Sequence, residues 1–143
     1  MQAEVVVAAV ITKGDSILLT MRISGRNPET IGMYEAPGGK VEEGETPEQA
    51  VVREVEEEIG YKCQVIGDTL HVHLNTWSVS GRCCVLFYHC RLRERVSGGE
   101  GLTQDWRSIY NTPWDDVLPG TSEAVLELIR QESGRRYDSL LWY

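Results

Sequence analysis

The sequence predicts an α/β fold in which one mixed β-sheet is flanked by two helices. Strand-like apolar runs are interspersed with two amphipathic, helix-like segments along the 143 residues. A hydrophobic content of 41% is enough for one core without disulfide or metal support, and no repeat, low-complexity tract or Pro/Gly-rich linker divides the chain. We therefore expect a single domain over residues 1–143.

The first half of the chain opens with two strand candidates. The runs "EVVVAAVIT" and "SILLTMR" are separated by the turn signal "KGD", which predicts a β-hairpin. A long, polar and glycine-rich connection, "ISGRNPETIGMYEAPGGK", follows. Connections of this length inside a compact domain are usually functional or mobile, so we expect this one to contribute to a site.

Three further strand candidates lie after the first helix. The segments "CQVIGDTLHVHLNTWSVS" and "RCCVLFYHCRLRE" are expected to be joined by a turn near Gly81. After the glycine-rich "SGGEG", the segment "DWRSIYNTP" is a candidate for a short last strand. These strands complete the predicted mixed sheet.

A C-terminal helix is predicted over "TSEAVLELIRQE". Thr121 or Ser122 would cap its start, and Gly134 lies just past its expected end. The tail that follows, "YDSLLWY", is unusually apolar. It would either cover the core or form a homodimer contact, so both a monomer and a homodimer remain open.

Charge and cysteine usage restrict the class of partner. The formal net charge of -8 argues against a nucleic-acid duplex or an anionic membrane as the main partner, because both attract basic surfaces. The N-terminal apolar run "VVVAAVI" is too short to span a bilayer and follows no basic region. The four cysteines form no CxxC pair, which predicts reduced thiols in a cytoplasmic protein.

The first helix has strong signals at both ends. Thr46 is a natural N-cap, Pro47 suits the first helical position and Gln49 completes a capping-box pattern. Gly60 occupies a position where a left-handed residue commonly ends a helix. The apolar residues that recur every four positions are Val51, Val55 and Ile59. This stripe is the face that we expect to be buried.

Three carboxylates share another face of the same helix. Glu54, Glu57 and Glu58 fall within an arc of roughly 100° at about 100° per residue. Like charges at this spacing repel one another, and acidic groups in the last turn oppose the helix dipole. A solvated face with partial relief from Arg53 is one explanation. The preceding Pro-Gly-Gly loop favours another, since carboxylate and carbonyl oxygens together suit Mg²⁺ or Mn²⁺.

The same residues carry a family resemblance. Gly39, Glu45 and the run "REVEEEIGY" from Arg53 to Tyr61 resemble the Nudix box, G-x5-E-x7-R-E-U-x-E-E-x-G-U, where U is a bulky aliphatic residue. Every fixed position is filled, and only Tyr61 is aromatic where an aliphatic residue is usual. The resemblance implies an α/β/α sandwich with a mixed β-sheet flanked by the Nudix-box helix and a C-terminal helix.

The resemblance also implies an activity and roles for residues. Nudix enzymes hydrolyse a nucleoside diphosphate linked to another group, with a divalent metal and an attacking water. It implies that Glu57, Glu58 and the Gly38 carbonyl coordinate metal. Glu54 would be the general base or a further ligand, and Glu57 is the alternative base. A salt bridge between Arg53 and Glu45 would orient the catalytic helix.

Substrate choice is predicted less sharply. Arg22 and Lys40 are candidates for phosphate contact, with solvated surface charge as the alternative. By resemblance to MutT-like members, Asp105 would be a further metal ligand and Ser122 would take the position of a base-recognising asparagine. Ser122 itself, and Ala36 in place of an aromatic residue, both weaken the expectation of specificity for oxidised guanine. By elimination, a nucleoside triphosphate is the expected substrate.

Two other functions remain as alternatives. A 5′-end RNA pyrophosphohydrolase would share this chemistry, but it should display a basic groove, and the net acidity and lack of a Lys/Arg cluster count against it. A catalytically silent Nudix domain that senses a ligand would usually have lost box carboxylates, and this chain keeps all of them. Pyrophosphate release from a nucleotide panel, with and without Mg²⁺, would separate the three functions.

Overall fold

The computed structural model describes residues 4–23, 28–75 and 83–141, with Asn75 and residues 135–141 described by backbone alone. The strands and α-helices in these ranges are β1 (Glu4–Lys13), β2 (Ser16–Met21), β3 (Tyr34–Glu35), β4 (Gly38–Lys40), α1 (Pro47–Ile59), β5 (Tyr61–Asn75), β6 (Cys83–Arg95), β7 (Gln104–Ser108) and α2 (Thr121–Leu141). The turn predicted near Gly81 lies outside the described residues.

The strands form one mixed sheet, as predicted. Its main order is β3-β2-β1-β6-β5, with β4 also paired to β1 and β7 to β2. β1 runs antiparallel to β2, which confirms the hairpin, and parallel to β6. The long connection after β2 contains β3 and β4, which were not predicted. Strands of two and three residues are too short to show a period-two pattern.

The two helices cover opposite faces of this sheet. On the first, which we name the α1 face, α1 buries Val51, Val55 and Ile59 against alternate residues of the central strand β1. On the second, the α2 face, α2 packs Val125 and Leu128 against the intervening residues of β1. Alternation along a strand therefore gives each helix its own core cluster, and the predicted α/β/α sandwich is confirmed.

Helix α1 begins and ends as the sequence predicted. The Thr46 hydroxyl accepts from the Gln49 N–H at 3.2 Å, and the Gln49 side chain accepts from the Thr46 N–H at 2.9 Å. Gly60 has a left-handed φ of 83° and donates its N–H to the Glu56 carbonyl. Both ends of α1 are therefore fixed by interactions between residues three or four positions apart.

Helix α2 differs from the prediction at both ends. It begins at Thr121, so the capping position belongs to Gly120, whose carbonyl accepts from the Ala124 N–H at 3.0 Å. Its predicted end at Gly134 is wrong, because the helix continues to Leu141. An interior glycine costs about 1 kcal/mol in a helix but does not end it without a cap. No helix in the described ranges is long and apolar enough to cross a bilayer.

Candidate active site

The glutamates of α1 lie against the backbone of the glycine loop, as the sequence predicted. The Gly38 N–H donates to a carboxylate oxygen of Glu58 at 3.2 Å. A Cβ on Gly39 would overlap the carboxylate of Glu54, and one on Gly38 would overlap the carbonyl of Val7 in β1. Gly38 is therefore required by the backbone of β1, whereas a side chain at position 39 would displace the carboxylate of Glu54.

We name Glu54, Glu57 and Glu58 of α1, with the carboxylates close to them, the acidic group. Within it, Glu58 carries the most unfavourable charge. The pKa of Glu58 is raised to about 8, first by burial and then by the charges of Glu54, Glu35 and Glu100, although the Gly38 hydrogen bond lowers it. A carboxyl group with such a pKa lacks sufficient positive charge around it. Glu58 is therefore placed where a cation would stabilise the ionised form.

Glu54 is in a similar environment with partial compensation. Burial raises the pKa of Glu54, the Arg53 hydrogen bond and charge lower it, and the charges of Glu57 and Glu100 raise it again. The net direction is upward. Arg53 therefore does not neutralise the acidic group that it adjoins.

Arg53 links α1 to residues 40–45, which precede the helix, through hydrogen bonds. Its Nε and Nη2 donate to the two carboxylate oxygens of Glu45 at 3.1 and 2.6 Å, so the predicted Arg53–Glu45 salt bridge is present and bidentate. Nη2 also donates to the Lys40 carbonyl at 3.0 Å, while Nη1 contacts Glu54 at 2.8 Å and Glu57 at 3.3 Å. The hydrogen bond from Arg53 lowers the pKa of Glu45. Arg53 thus fixes the angle between helix and loop.

Glu100 belongs to the acidic group, although no motif pointed to it. The Val96 N–H donates to the Gly60 carbonyl at 2.7 Å, and the Glu100 N–H donates to the Glu58 carbonyl at 3.1 Å. A Cβ on Gly99 would overlap the Glu58 carbonyl. The "SGGEG" segment therefore folds onto the end of α1 and brings Glu100 to its carboxylates. The glycines just before Glu100 were the available sequence signal.

Glu35 is the second acidic residue that the sequence reasoning missed. It pairs with Thr20 across β3 and β2, and its carboxylate accepts from Arg22 Nη1 at 2.9 Å. Burial raises the pKa of Glu35, which the charge and hydrogen bond of Arg22 partly offset. Its place directly before the Ala-Pro-Gly-Gly run was the only indication in the sequence. Arg22, predicted as a phosphate contact, thus lies beside the acidic group.

The structure does not bring Asp105 to the α1 carboxylates. Asp105 lies on β7, where it pairs with Leu19, a residue of the α2-face core. Its carboxylate accepts from Arg107 Nε at 2.7 Å, and Arg107 Nη2 donates to the Tyr34 hydroxyl at 3.2 Å. Asp105 is therefore on the α2 face with an arginine of its own, in the short last strand that the sequence predicted.

Two predicted substrate contacts have local partners. Lys40 Nζ forms a salt bridge with Glu4 at 3.1 Å, and its side chain is 55% exposed. Ser122 lies in the first turn of α2, where its hydroxyl donates to Glu123 at 3.1 Å. Lys40 adjoins the glycine loop through β4, whereas Ser122 belongs to the helix on the other face of the sheet.

The residues near Glu58 fit a hard divalent cation in their chemistry. In the parts of the chain that the structure describes, no three His, Cys, Asp or Glu side chains converge closely enough to hold an ion as they stand. The group nevertheless offers only oxygen donors, and its charges remain uncompensated around Glu58. Carboxylate oxygens are what Mg²⁺ and Mn²⁺ prefer, with several positions left for water and phosphate.

An α/β/α sandwich with an acidic helix against a glycine loop defines the class of protein, and the comparison with known families agrees. A family model described as the NUDIX domain matches residues 2–129. The chain therefore belongs to the Nudix family and is a Nudix hydrolase. Such hydrolases act on small nucleotide substrates and generally use divalent metals.

Individual relatives point to nucleotide chemistry. The chain is 29% identical over 136 residues to the 8-oxo-dGTP diphosphatase of Escherichia coli, covering 89% of this chain and 96% of the relative. It is 42% identical over 77 residues to the CTP pyrophosphohydrolase of the same species, covering 54% and 53%. Among solved structures, the E. coli ORF135 protein superposes with a TM-score of 0.75 at 28% identity, covering 94% of each chain.

Proposed function

We propose that this protein hydrolyses a nucleoside or deoxynucleoside triphosphate to the monophosphate and pyrophosphate, with Mg²⁺ or, in its place, Mn²⁺ as cofactor. Residues 1–143 would form one catalytic domain. The observation that carries this proposal is the position of the α1 carboxylates against the glycine loop: Glu58 accepts from the Gly38 N–H at 3.2 Å, and Glu54 lies against Gly39. Burial and the surrounding carboxylates also raise the pKa of the half-buried Glu58 to about 8. A site that lacks positive charge in this way favours a divalent cation, and a cation there attracts a triphosphate chain.

Different residues of the chain would bind the metal and accept the proton. Glu57, Glu58 and the Gly38 carbonyl would hold the ion, which when bound supplies polarisation of phosphoryl oxygens and offsets developing charge. Glu54 would accept a proton from the attacking water, with Glu57 as the alternative base. The oxygen of that water bonds to phosphorus as the bridging P–O bond breaks and pyrophosphate leaves.

Arg53 and Glu45 would act without touching substrate. Their bidentate salt bridge holds α1 against the loop that carries Gly38. A displacement of about 1 Å at a catalytic group can cost roughly 10²-fold in rate. We therefore assign both residues a positioning role.

The triphosphate is the part of the substrate that the relatives share. Their names specify different bases, an oxidised guanine in one and cytosine in the other. Arg22 and Lys40 would contact the phosphate chain, and Ser122 would contribute to recognition of the base. Glu100, which adjoins Glu58, would supply a further metal ligand, and Asp105 is the alternative that the family resemblance implies.

Hydrolysis in H₂¹⁸O tests the proposal directly. We expect pyrophosphate release from a panel that includes 8-oxo-dGTP, dGTP and CTP, only when Mg²⁺ or Mn²⁺ is present. The label should enter the nucleoside monophosphate or pyrophosphate. Label found only in a sugar hydroxyl would contradict attack at phosphorus, and binding without turnover would instead indicate a ligand sensor. A matched Glu58→Gln preparation excludes a contaminating hydrolase.

A 5′-end RNA pyrophosphohydrolase remains the second candidate, because the chain does have one group of exposed arginines, contrary to the expectation from sequence. Arg91, Arg93 and Arg95 are all exposed at the end of β6. The chain then turns onto the end of α1, where Val96 bonds Gly60. Faster pyrophosphate release from 5′-triphosphorylated RNA than from free nucleotides, lost in Arg91→Gln/Arg93→Gln, would favour this function.

The cellular setting is part of the proposal. All four cysteines are free, which supports action in the reducing cytoplasm. A monomer and a homodimer both fit the proposed chemistry. Fractionation of expressing cells tests the compartment, and light scattering of the purified protein tests the oligomeric state.

A further inference from the structure

Arg22 and Glu35 form an ion pair beside the acidic group of α1. Arg22 Nη1 lies 2.9 Å from the Glu35 carboxylate, and the two side chains are only 29% and 27% exposed. The backbone of Arg22 is held as well. Its N–H donates to the Met33 carbonyl at 2.8 Å, and its carbonyl accepts from the Gly32 N–H at 2.8 Å. Both the main chain and the guanidinium of Arg22 are therefore fixed in place.

One N–H donor of the Arg22 guanidinium is unpaired within the described residues. Its Nε is buried, yet it has no hydrogen-bond acceptor in the described parts of the chain. Buried donors are normally paired, because an unpaired one retains its full desolvation cost. An oxyanion that reached this nitrogen would therefore gain a charge-assisted hydrogen bond.

The ion pair is on the same side of the sheet as the α1 carboxylates. Thr20 lies two residues after Leu18, a member of the α1-face core, and it pairs with Glu35. The charge of Glu35 contributes to the raised pKa of Glu58. Glu35 thus contacts Arg22 and is near Glu58, next to the place where the substrate's phosphates are expected.

We propose that Glu35 is a positioning residue that holds one edge of the Arg22 guanidinium, so that the free Nε–H donates to an oxygen of the substrate's polyphosphate chain. This inference rests on the proposed function, because it takes a triphosphate as the ligand. A guanidinium is planar and its donors form a rigid fork, so a bond at Nη1 fixes the direction of Nε. Neither a lysine nor a freely rotating arginine would present a donor in that way.

Glu35→Gln tests the positioning role. The amide keeps the shape of the side chain but loses the charge that holds Arg22. We expect KM for the triphosphate, and the Kd of a non-hydrolysable α,β-methylene analogue with Mg²⁺, to rise about tenfold, with kcat changed much less. Glu132→Gln on the α2 side serves as the control with unchanged values. A lower Tm with unchanged Kd and KM would show that Glu35 is merely structural.

Arg22→Lys tests the donor itself. Lysine keeps the positive charge but has no fork, so Kd for the same analogue should also rise about tenfold. If Glu35 acts through Arg22, the double variant should bind no more weakly than Arg22→Lys alone. Losses that multiply in the double variant would contradict the proposal, and so would an Arg22→Lys variant that binds like wild type. The second outcome applies even if Glu35→Gln fails to fold.

Calorimetric binding separates this inference from the proposed function. A wild type that binds the analogue but releases no pyrophosphate overturns the proposed function, while the Kd values of the variants still test Glu35. A wild type that hydrolyses triphosphates while Glu35→Gln keeps normal KM and Kd overturns only this inference. A wild type that does not bind the analogue overturns both.

Discussion

Glu58 on α1 and Asp105 on β7 are two carboxylates whose surroundings differ in kind. Glu58 is half-buried among other carboxylates, and burial together with their charges raises its pKa to about 8. Asp105 is 37% exposed and accepts from Arg107 Nε at 2.7 Å. The carboxylate with its own arginine needs no further cation. Glu58 lacks sufficient positive charge around it, which indicates that a cation would bind there.

The charges around Glu58 and around Arg53 should affect stability in opposite directions. The acidic group around Glu58 should destabilise the metal-free protein, since like charges are held together in a partly dehydrated place. A cation that binds only the folded state would reverse this effect. The Arg53–Glu45 salt bridge, in contrast, should stabilise the fold with or without metal, because both partners have opposite charges and a bidentate geometry.

The largest effect is expected for Glu57→Gln and Glu58→Gln. Each removes a charge from the acidic group, so kcat should fall by about two orders of magnitude or more. The metal-free Tm should stay the same or rise, because repulsion is relieved. Stopped-time pyrophosphate assays and thermal unfolding with chelator measure the two quantities. Near-normal Mg²⁺-dependent turnover in both variants would refute the assignment of these glutamates as metal ligands.

Arg53→Lys should change stability in the opposite direction. Lysine cannot reproduce the paired bonds to Glu45, so we expect the free energy of unfolding to fall. kcat should fall about tenfold, because α1 loses its orientation toward the loop. Urea unfolding and steady-state kinetics test this pair of effects. An Arg53→Lys protein with wild-type stability would show that the salt bridge does not hold α1.

The pH dependence of metal-free stability isolates Glu58. The pKa of Glu58 is raised from 4.5 to about 8, so between these values the folded state binds more protons than the unfolded state. The contribution of Glu58 is thus fully present below about pH 4.5 and is lost as the pH rises through about 8. With chelator, wild type should lose stability over this range relative to Glu58→Gln. Parallel pH profiles for the two proteins would contradict the raised pKa.

The smallest effects should separate Glu100 from Asp105. Glu100 adjoins the acidic group, so Glu100→Gln should raise the Mg²⁺ concentration for half-maximal activity several-fold. Asp105→Asn should leave that concentration nearly unchanged and lower the Tm only slightly through the lost Arg107 pair. Mg²⁺ titrations of both variants decide the matter. The reverse ranking would support the expectation for Asp105 that came from the family resemblance.

Most of α1 could be predicted from sequence because its determinants are local. The capping box joins residues three positions apart, and Gly60 bonds back four positions to Glu56. The spacing from Gly39 to Tyr61 likewise identified the family, and the family model confirms it. Gly134 misled the prediction for α2, because a glycine ends a helix only where the backbone turns into the left-handed conformation, and here the helix continues to Leu141.

The sequence by itself determined the hairpin, the ends of α1 and the face that its glutamates share, because those features depend on neighbours along the chain. Only the tertiary structure decided which distant carboxylates join them. Leu19 and Thr20 are adjacent in β2, yet Asp105 pairs with the first and Glu35 with the second. Adjacent residues of a strand point to opposite faces, so strand register sends Asp105 to the α2 face and Glu35 to the α1 carboxylates. Charge environment is set by burial and by groups far away in sequence, which no spacing rule records.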